Sequence, residues 1–99
     1  MSYTRIMNFE WDETKSEACA KLRSFNFDYA AQAFYDPDRM VEADTRHDYG
    51  EERYRLMGKI EGRLYVVIYT PRPGVIRIIS AHKANQRETN HYETGTQEN

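Results

Sequence analysis

The chain has 99 residues, of which 39% are hydrophobic and 30% charged, and its formal net charge is -2. This length fits one domain with its own core, and a single cysteine, Cys19, excludes an internal disulfide. No apolar run approaches the roughly 20 residues that cross a bilayer, and the N-terminus lacks the apolar segment of a signal peptide. The composition therefore predicts a soluble cytoplasmic protein.

Charge is unevenly divided along the chain. Residues 1–51 contain six Lys/Arg and eleven Asp/Glu, a net -5, whereas residues 52–99 contain eight and five, a net +3. This asymmetry favours a face for a polyanion, built in the second half. The alternative is a balanced charged surface that only keeps the domain soluble.

Two helices are predicted in the N-terminal half. Residues 11–25 (WDETKSEACAKLRSF) suit a helix with Asp12 as N-cap and Glu13 in the first turn. Its apolar face is expected at Ala18, Leu22 and Phe25. Residues 26–37 (NFDYAAQAFYDP) suit a second, short helix that Pro37 ends; its apolar stripe is Phe27, Ala30, Ala31 and Phe34. Trp11 is expected to pack against the core or the first helix.

Strand patterns follow at residues 38–44, 52–60, 63–70 and 75–81, with turn signals at Glu61-Gly62 and at residues 71–74 (PRPG). Such tight connections predict an antiparallel meander. Asn85 and Glu88 have capping-box spacing and open a last helix that is expected to end near Tyr92. We therefore expect one α+β domain over residues 1–94 and a disordered tail at 95–99.

Strand alternation predicts what each face of the sheet carries. With a three-residue loop at 61–63, the helices are expected to cover Leu56, Ile60, Leu64, Val66, Ile68, Ile76, Ile78 and Ser80. The opposite face is then expected to interleave cations with tyrosines: Arg53, Arg55, Lys59, Tyr65, Tyr69 and Arg77. Such a face suits phosphates and bases of RNA. For Arg53 and Arg55 the alternative is a solvated surface.

Four stretches of the sequence resemble the BrnT family, the toxins of type II toxin–antitoxin pairs that are related in fold to RelE ribonucleases. They are FEWDETK near the start, RH at 46–47, EERY at 51–54 and IRIISAHKANQRETNHYE near the end. The resemblance implies helices on a curved antiparallel sheet and metal-independent RNA cleavage, with mRNA as substrate and no cofactor. The implied partner is a BrnA-like antitoxin with a ribbon-helix-helix part, through which alone the complex contacts operator DNA.

The resemblance also carries over particular residues. The family's RH…EER pattern falls on Arg46, His47, Glu51, Glu52 and Arg53, and its G-(R/K) pair falls on Gly58 and Lys59. The closing pattern falls on Arg77, Ser80, Ala81, His82, Ala84, Arg87 and Glu88. The chain departs from the family at His82, where an arginine is common, and at AKLRSFNF between the first helices.

RNA cleavage by a 2′-hydroxyl needs a base, cations for the phosphate and an acid for the leaving oxygen. Arg77, Arg53, Lys59 and Arg87 are candidates for stabilising the phosphate charge, and His47 or His82 for moving the proton. Glu52 is a weaker candidate. Further candidate substrate-binding residues are Arg55, Tyr65 and Lys83. No metal-binding spacing is present, and His91 is expected to have no role.

A second function from another class remains open. A toxin homologue that no longer cuts RNA would keep the antitoxin-binding surface and act as a binding module or co-repressor. The acidic N-terminal half and His82 favour this alternative.

Overall fold

The structure is a computed structural model that describes residues 7–97. The chain forms an α+β domain in which a short first strand and the N-terminal helices are followed by four consecutive strands and a last helix. The elements are β1 (Phe9–Trp11), α1 (Glu13–Arg23), α2 (Phe27–Ala30), a 3₁₀ helix (Ala31–Tyr35), β2 (Met40–Ala43), β3 (Tyr54–Ile60), β4 (Arg63–Arg72), β5 (Val75–Lys83) and α3 (Gln86–Gln97). The two N-terminal helices and the C-terminal helix are confirmed.

The sheet has the strand order β1-β5-β4-β3-β2. Strands β2 to β5 form the expected antiparallel meander. However, β1 pairs in parallel with β5, with Phe9 opposite Ile76 and Trp11 opposite Ile78. The expected purely antiparallel sheet is therefore wrong. The three-residue β1 was not predicted because so short a strand shows no period-two pattern.

The β3–β4 turn contains two residues, not the expected three. Ile60 pairs with Arg63 across Glu61 and Gly62, whose φ values are 50° and 80°, as a two-residue hairpin turn requires. This one-residue shift places Tyr65 opposite Gly58 and Val67 opposite Leu56. The tyrosines of β4 therefore lie on the helix-covered face, and the expected row of cations and tyrosines is wrong.

A bulge separates the two halves of β5. The register with β4 shifts between Ile68 and Tyr69, so that Tyr69 pairs with Ile78 and Ile68 pairs with Ser80. Beyond the bulge, Ala81 is buried in the helix-side core and Ser80 is exposed. The expected position of Ser80 under the helices is wrong, because the extra residue reverses the alternation.

The N-terminal helices begin as expected but α1 buries another face. The carboxylate of Asp12 accepts hydrogen bonds from the Thr14 and Lys15 amides, which confirms it as N-cap. The buried residues of α1 are Ser16 and Cys19, whereas Leu22 is 79% exposed. The predicted apolar face is therefore wrong at Ala18 and Leu22, which are exposed, whereas Phe25 just beyond the helix is buried as expected.

The second helical segment supplies most of the side chains that the helices contribute to the main core. Its predicted stripe is confirmed, because Phe27, Ala30, Ala31 and Phe34 are all buried. They pack on Leu56, Val67 and Ile78 of the sheet. Trp11 packs partly buried against this core with its ring edge-on to Phe27, as expected. At Gly58 a Cβ would collide with the Ala33 carbonyl, so only glycine lets the 3₁₀ helix approach β3 this closely.

A smaller core lies on the other face of the sheet under α3. Tyr92 of α3 is 3% exposed and belongs to a cluster with Met57, Leu64 and Val66. The predicted capping box is confirmed: the Glu88 amide donates to Asn85 Oδ1 at 2.8 Å and the Asn85 amide to Glu88 Oε1 at 2.9 Å. The helix runs to Gln97, five residues past its expected end.

Between residues 7 and 97, the helices are all too short or too polar to span a membrane.

Candidate active site

The face of the sheet that α3 crosses carries the charged residues of interest. Arg55, Arg77 and His82 are half-buried there, and Ser80 is exposed. Register places Ser80 and Arg55 on either side of Ile68 in one cross-strand row, so their Cα atoms are about 10 Å apart. We call Arg55, Arg77, Ser80 and His82 the open face.

His82 is held by a carboxylate at the edge of the open face. Its Nε2 lies 3.2 Å from both carboxylate oxygens of Glu88. Burial works to raise the pKa of Glu88, but hydrogen bonds from the Asn85 amide and His82 outweigh it and lower the pKa below its ordinary value. Glu88 is therefore ionised at neutral pH and orients the imidazole.

Glu88 is held in place because its side chain contacts both the start of α3 and strand β5. Its carboxylate caps the N-terminus of α3, and the same group meets β5 through His82. It also approaches Arg55 Nη1 at 3.8 Å, and its side chain is only 11% exposed. The capping box that begins α3 thus also positions His82.

Arg55 joins this pair to a second carboxylate. Its Nη2 donates to Glu42 Oε1 at 2.9 Å, and Glu42 Oε2 lies 2.8 Å from His91 Nε2 on α3. Hydrogen bonds from His91 and Arg55 lower the pKa of Glu42. The structure thus forms a connected network of His82, Glu88, Arg55, Glu42 and His91.

Arg77 is matched by a carboxylate on the neighbouring strand. Its Nη1 lies 2.9 Å from Glu10 Oε2, and Glu10 is its register partner in β1. Arg77 was expected to lie near Arg53 and Tyr65 or Tyr69. The tyrosine part of that expectation is wrong, since the β4 tyrosines lie on the opposite face.

A second group of predicted residues lies in the β2–β3 loop. His47, Glu52 and Arg53 line a cavity of about 390 Å³ together with Tyr49 and Tyr54, which we call the loop pocket. Arg53 is ion-paired with Glu51 at 3.1 Å, and its guanidinium lies 4.0 Å from the centre of the Tyr49 ring. His47 stands edge-on to the same ring.

The loop itself is anchored at Asp44. Arg46 donates two hydrogen bonds to this buried carboxylate, at 2.8 and 2.9 Å. The Arg46 hydrogen bond lowers the pKa of Asp44, although burial opposes the change. Arg46, which belongs to the RH pattern, therefore has a structural partner.

The remaining predicted residues are dispersed. Lys59 is exposed, with its ammonium 5.6 Å from the centre of the Tyr92 ring, and Arg87 is exposed in the first turn of α3. Tyr65 is 5% exposed and packs edge-on to Phe25, which leaves little ring surface for a base. Lys83 is paired with Tyr65 and so belongs to the helix-side face.

Sequence reasoning missed the acidic partners. Glu10, Glu42 and Glu51 each bind an arginine that was predicted to contact substrate. Alternation on β2 could have placed Glu42 opposite Arg55. The pairing of Glu10 with Arg77 could be predicted only if β1 were already known. Within residues 7–97, no three His, Cys, Asp or Glu side chains are grouped to hold a metal ion.

The fold and this site define a small α+β protein with arginines and a histidine–carboxylate pair on one sheet face, a set suited to a phosphodiester. Residues 11–88 match the family model described as ribonuclease toxin, BrnT, of type II toxin-antitoxin system. The chain belongs to this family, which confirms the resemblance seen in the sequence. No curated protein matches the chain. The match includes His82 and Glu88 but ends before His91 and begins after Glu10.

Proposed function

We propose that the chain is a metal-independent endoribonuclease that cleaves mRNA and so inhibits translation. The observation that supports this most is the grouping of His82, Glu88 and Arg55 on the face that also carries Arg77. A histidine held by a carboxylate can move a proton near neutral pH. Guanidinium groups stabilise charge on a phosphate.

The proposed reaction is attack by the 2′-hydroxyl on the adjacent phosphorus. With His82 Nε2–H donating to Glu88, Nδ1 is the acceptor that takes the 2′-hydroxyl proton. A bond forms from the 2′-oxygen to phosphorus, and the bond to the 5′-oxygen breaks, leaving a cyclic phosphate and a 5′-oxyanion that water protonates. Arg55 and Arg77 stabilise the developing charge. A strong general acid is missing from this scheme, so we expect slow turnover.

The test is cleavage of total RNA by the purified chain, with and without EDTA. We expect chelator-insensitive fragments, and a loss of about 100-fold or more for His82→Ala and a large loss for Arg77→Ala. Arg63→Ala is the matched control, because Arg63 is an exposed arginine at the start of β4. If His82→Ala is folded, as circular dichroism can check, and keeps full activity, then His82 is not the group that takes the 2′-hydroxyl proton.

We further propose that the fold is RelE-like and that the partner is a BrnA-like antitoxin with a ribbon-helix-helix part. In this scheme the antitoxin blocks RNA access in the cytoplasm, and the complex contacts operator DNA through the antitoxin alone. Operator gel shifts with toxin, antitoxin and both together test this. A shift by the toxin alone would contradict it.

A second candidate function is a binding module without activity. It is favoured by the pairing of Arg53, Arg55 and Arg77 with carboxylates and by a histidine at position 82, where an arginine is common in the family. Intact RNA after long incubation, together with tight antitoxin binding, would support it. Fragments that vanish with Arg77→Ala would support the enzyme.

A further inference from the structure

We propose that the loop pocket binds one guanine base of the RNA and so sets where the chain cuts. This rests on the proposed function, because a base-binding pocket beside the open face has a use in cleavage. The cavity of about 390 Å³ lies between the β2–β3 loop and the start of β3. Its lining combines ring surfaces with acceptors and one guanidinium.

Flat surfaces for stacking are already assembled in the pocket. The Arg53 guanidinium lies over Tyr49, 4.0 Å from the ring centre, and Glu51 holds it there. His47 packs edge-on to Tyr49 with ring centroids 5.6 Å apart. Bases stack well on aromatic rings and on guanidinium planes. Stacking tolerates any base, so it explains binding but not choice.

The choice of base comes from Glu52. A carboxylate only accepts hydrogen bonds, and one of its oxygens already accepts from the Tyr54 hydroxyl at 3.2 Å. This hydrogen bond fixes the side chain and raises the pKa of Tyr54, so Tyr54 remains a donor to it. Guanine presents two adjacent donors, N1–H and the N2 amino group, on its pairing edge, whereas none of the other three bases has two adjacent donors there. Two carboxylate oxygens therefore suit guanine best.

The pocket is connected to the open face through the backbone. The Glu52 carbonyl accepts a hydrogen bond from Thr70 Oγ1 at 2.7 Å, and Thr70 is the register partner of Arg77 in β4. Arg72 on the same strand approaches Glu51 at 3.5 Å. A nucleotide whose base occupies the pocket thus has Arg53 and Arg77 within reach of its phosphates, which joins base choice to the proposed cleavage.

The direct test is binding of the four nucleoside 3′-monophosphates to the full chain by calorimetry. We expect guanosine 3′-monophosphate to bind about tenfold more tightly than the others, as one bidentate base contact allows. Glu52→Gln should remove this preference, because its amide group places a donor against guanine's donors. Glu17→Gln, an exposed glutamate on α1, is the matched control and should keep it.

A second variant separates stacking from choice. Tyr49→Ala should weaken the binding of all four nucleotides together. Tyr35→Ala, which changes a 55% exposed tyrosine, should leave their binding unchanged. Equal affinities in the unaltered chain, no saturable binding, or an unchanged preference in Glu52→Gln would each overturn the proposal. Mapped cuts before or after guanine that spread to other bases in Glu52→Gln would support it. If RNA stays intact but the nucleotide preference holds, the proposed activity fails and the pocket assignment stands.

Discussion

Removing the Tyr92 hydroxyl tests whether a single buried contact holds α3 on the sheet. Tyr92 is 3% exposed, and its hydroxyl donates to Asp36 Oδ2 at 2.7 Å. Asp36 is itself 9% exposed and also accepts from the Lys59 and Asp38 amides. Tyr92→Phe keeps the ring and removes only the donor. We expect α3, and with it Glu88, to be held less firmly.

The size of the effect follows from the charge on Asp36. A hydrogen bond to a charged group contributes about 1.5–3 kcal/mol. Two backbone donors remain after the change, so we expect the free energy of unfolding to fall by about 1.5–2 kcal/mol, at the lower end of that range. The matched control is Tyr35→Phe, where the hydroxyl belongs to a 55% exposed side chain. This substitution should change the free energy of unfolding by less than about 0.5 kcal/mol.

The assay is urea unfolding at several pH values. Burial raises the pKa of Asp36, but hydrogen bonds from Tyr92 and the Lys59 amide outweigh it and lower the pKa. A lowered carboxyl pKa stabilises the fold above the ordinary value, near 3.8, and this contribution is lost as the pH falls through the folded-state value. The loss caused by Tyr92→Phe should thus be full at pH 7 and shrink in acid. A loss under about 0.5 kcal/mol at pH 7 would refute the reasoning.

Three further predictions use the same structure. Gly58→Ala should lower the free energy of unfolding by about 1–3 kcal/mol, because the new methyl group meets a backbone carbonyl that cannot move away; equal urea midpoints would contradict this. Glu10→Gln should tighten RNA binding, because it releases Arg77 from its ion pair, and fluorescence anisotropy with labelled RNA measures it; unchanged affinity counts against a role of Arg77. The lowered pKa values of Asp36 and Glu88 should make urea midpoints fall between about pH 5 and pH 3; a flat profile there would contradict them.

The helical parts of the fold could be predicted because their signals are local. The Asp12 cap and the Asn85–Glu88 capping box depend on residues within one turn of each other. The buried stripe around Phe27 and Phe34 was predicted correctly because a short segment ended by turn residues leaves one possible buried face. In α1 the pattern failed at Leu22, which is 79% exposed, since a helix on the protein surface need not bury every apolar side chain.

The sheet faces could not be predicted with the same security, because they depend on turn length. Glu61 adopts a left-handed conformation at φ 50°, which a glutamate rarely does. A two-residue turn was therefore the less obvious choice, and the three-residue alternative gave the better hydrophobic match. One residue of difference moved Tyr65 from the expected RNA face to the core. His82 lies on the open face because the β5 bulge lies before it and reverses the alternation.

The charge asymmetry of the sequence acquires a different meaning in the folded chain. It favoured a separate cationic face in the second half. Instead, acids from residues 1–51 meet arginines from residues 52–99; the ion pairs are Glu10–Arg77 and Glu42–Arg55 on the sheet and Glu51–Arg53 in the β2–β3 loop. The side chains of these three arginines are about one-quarter to one-third exposed. These pairs therefore hold the arginines in place at modest energy.

When RNA binds to such a face, its phosphates replace carboxylates on the arginines instead of binding to free cations. A phosphate must take the place of a carboxylate on each arginine, so much of the attraction between RNA and a bare cationic face is offset by the ion pairs that are lost. The chain can consequently be acidic overall and still present partly exposed arginine side chains. On this argument the arginines position the scissile phosphate more than they provide affinity, and affinity must come from stacking in the loop pocket.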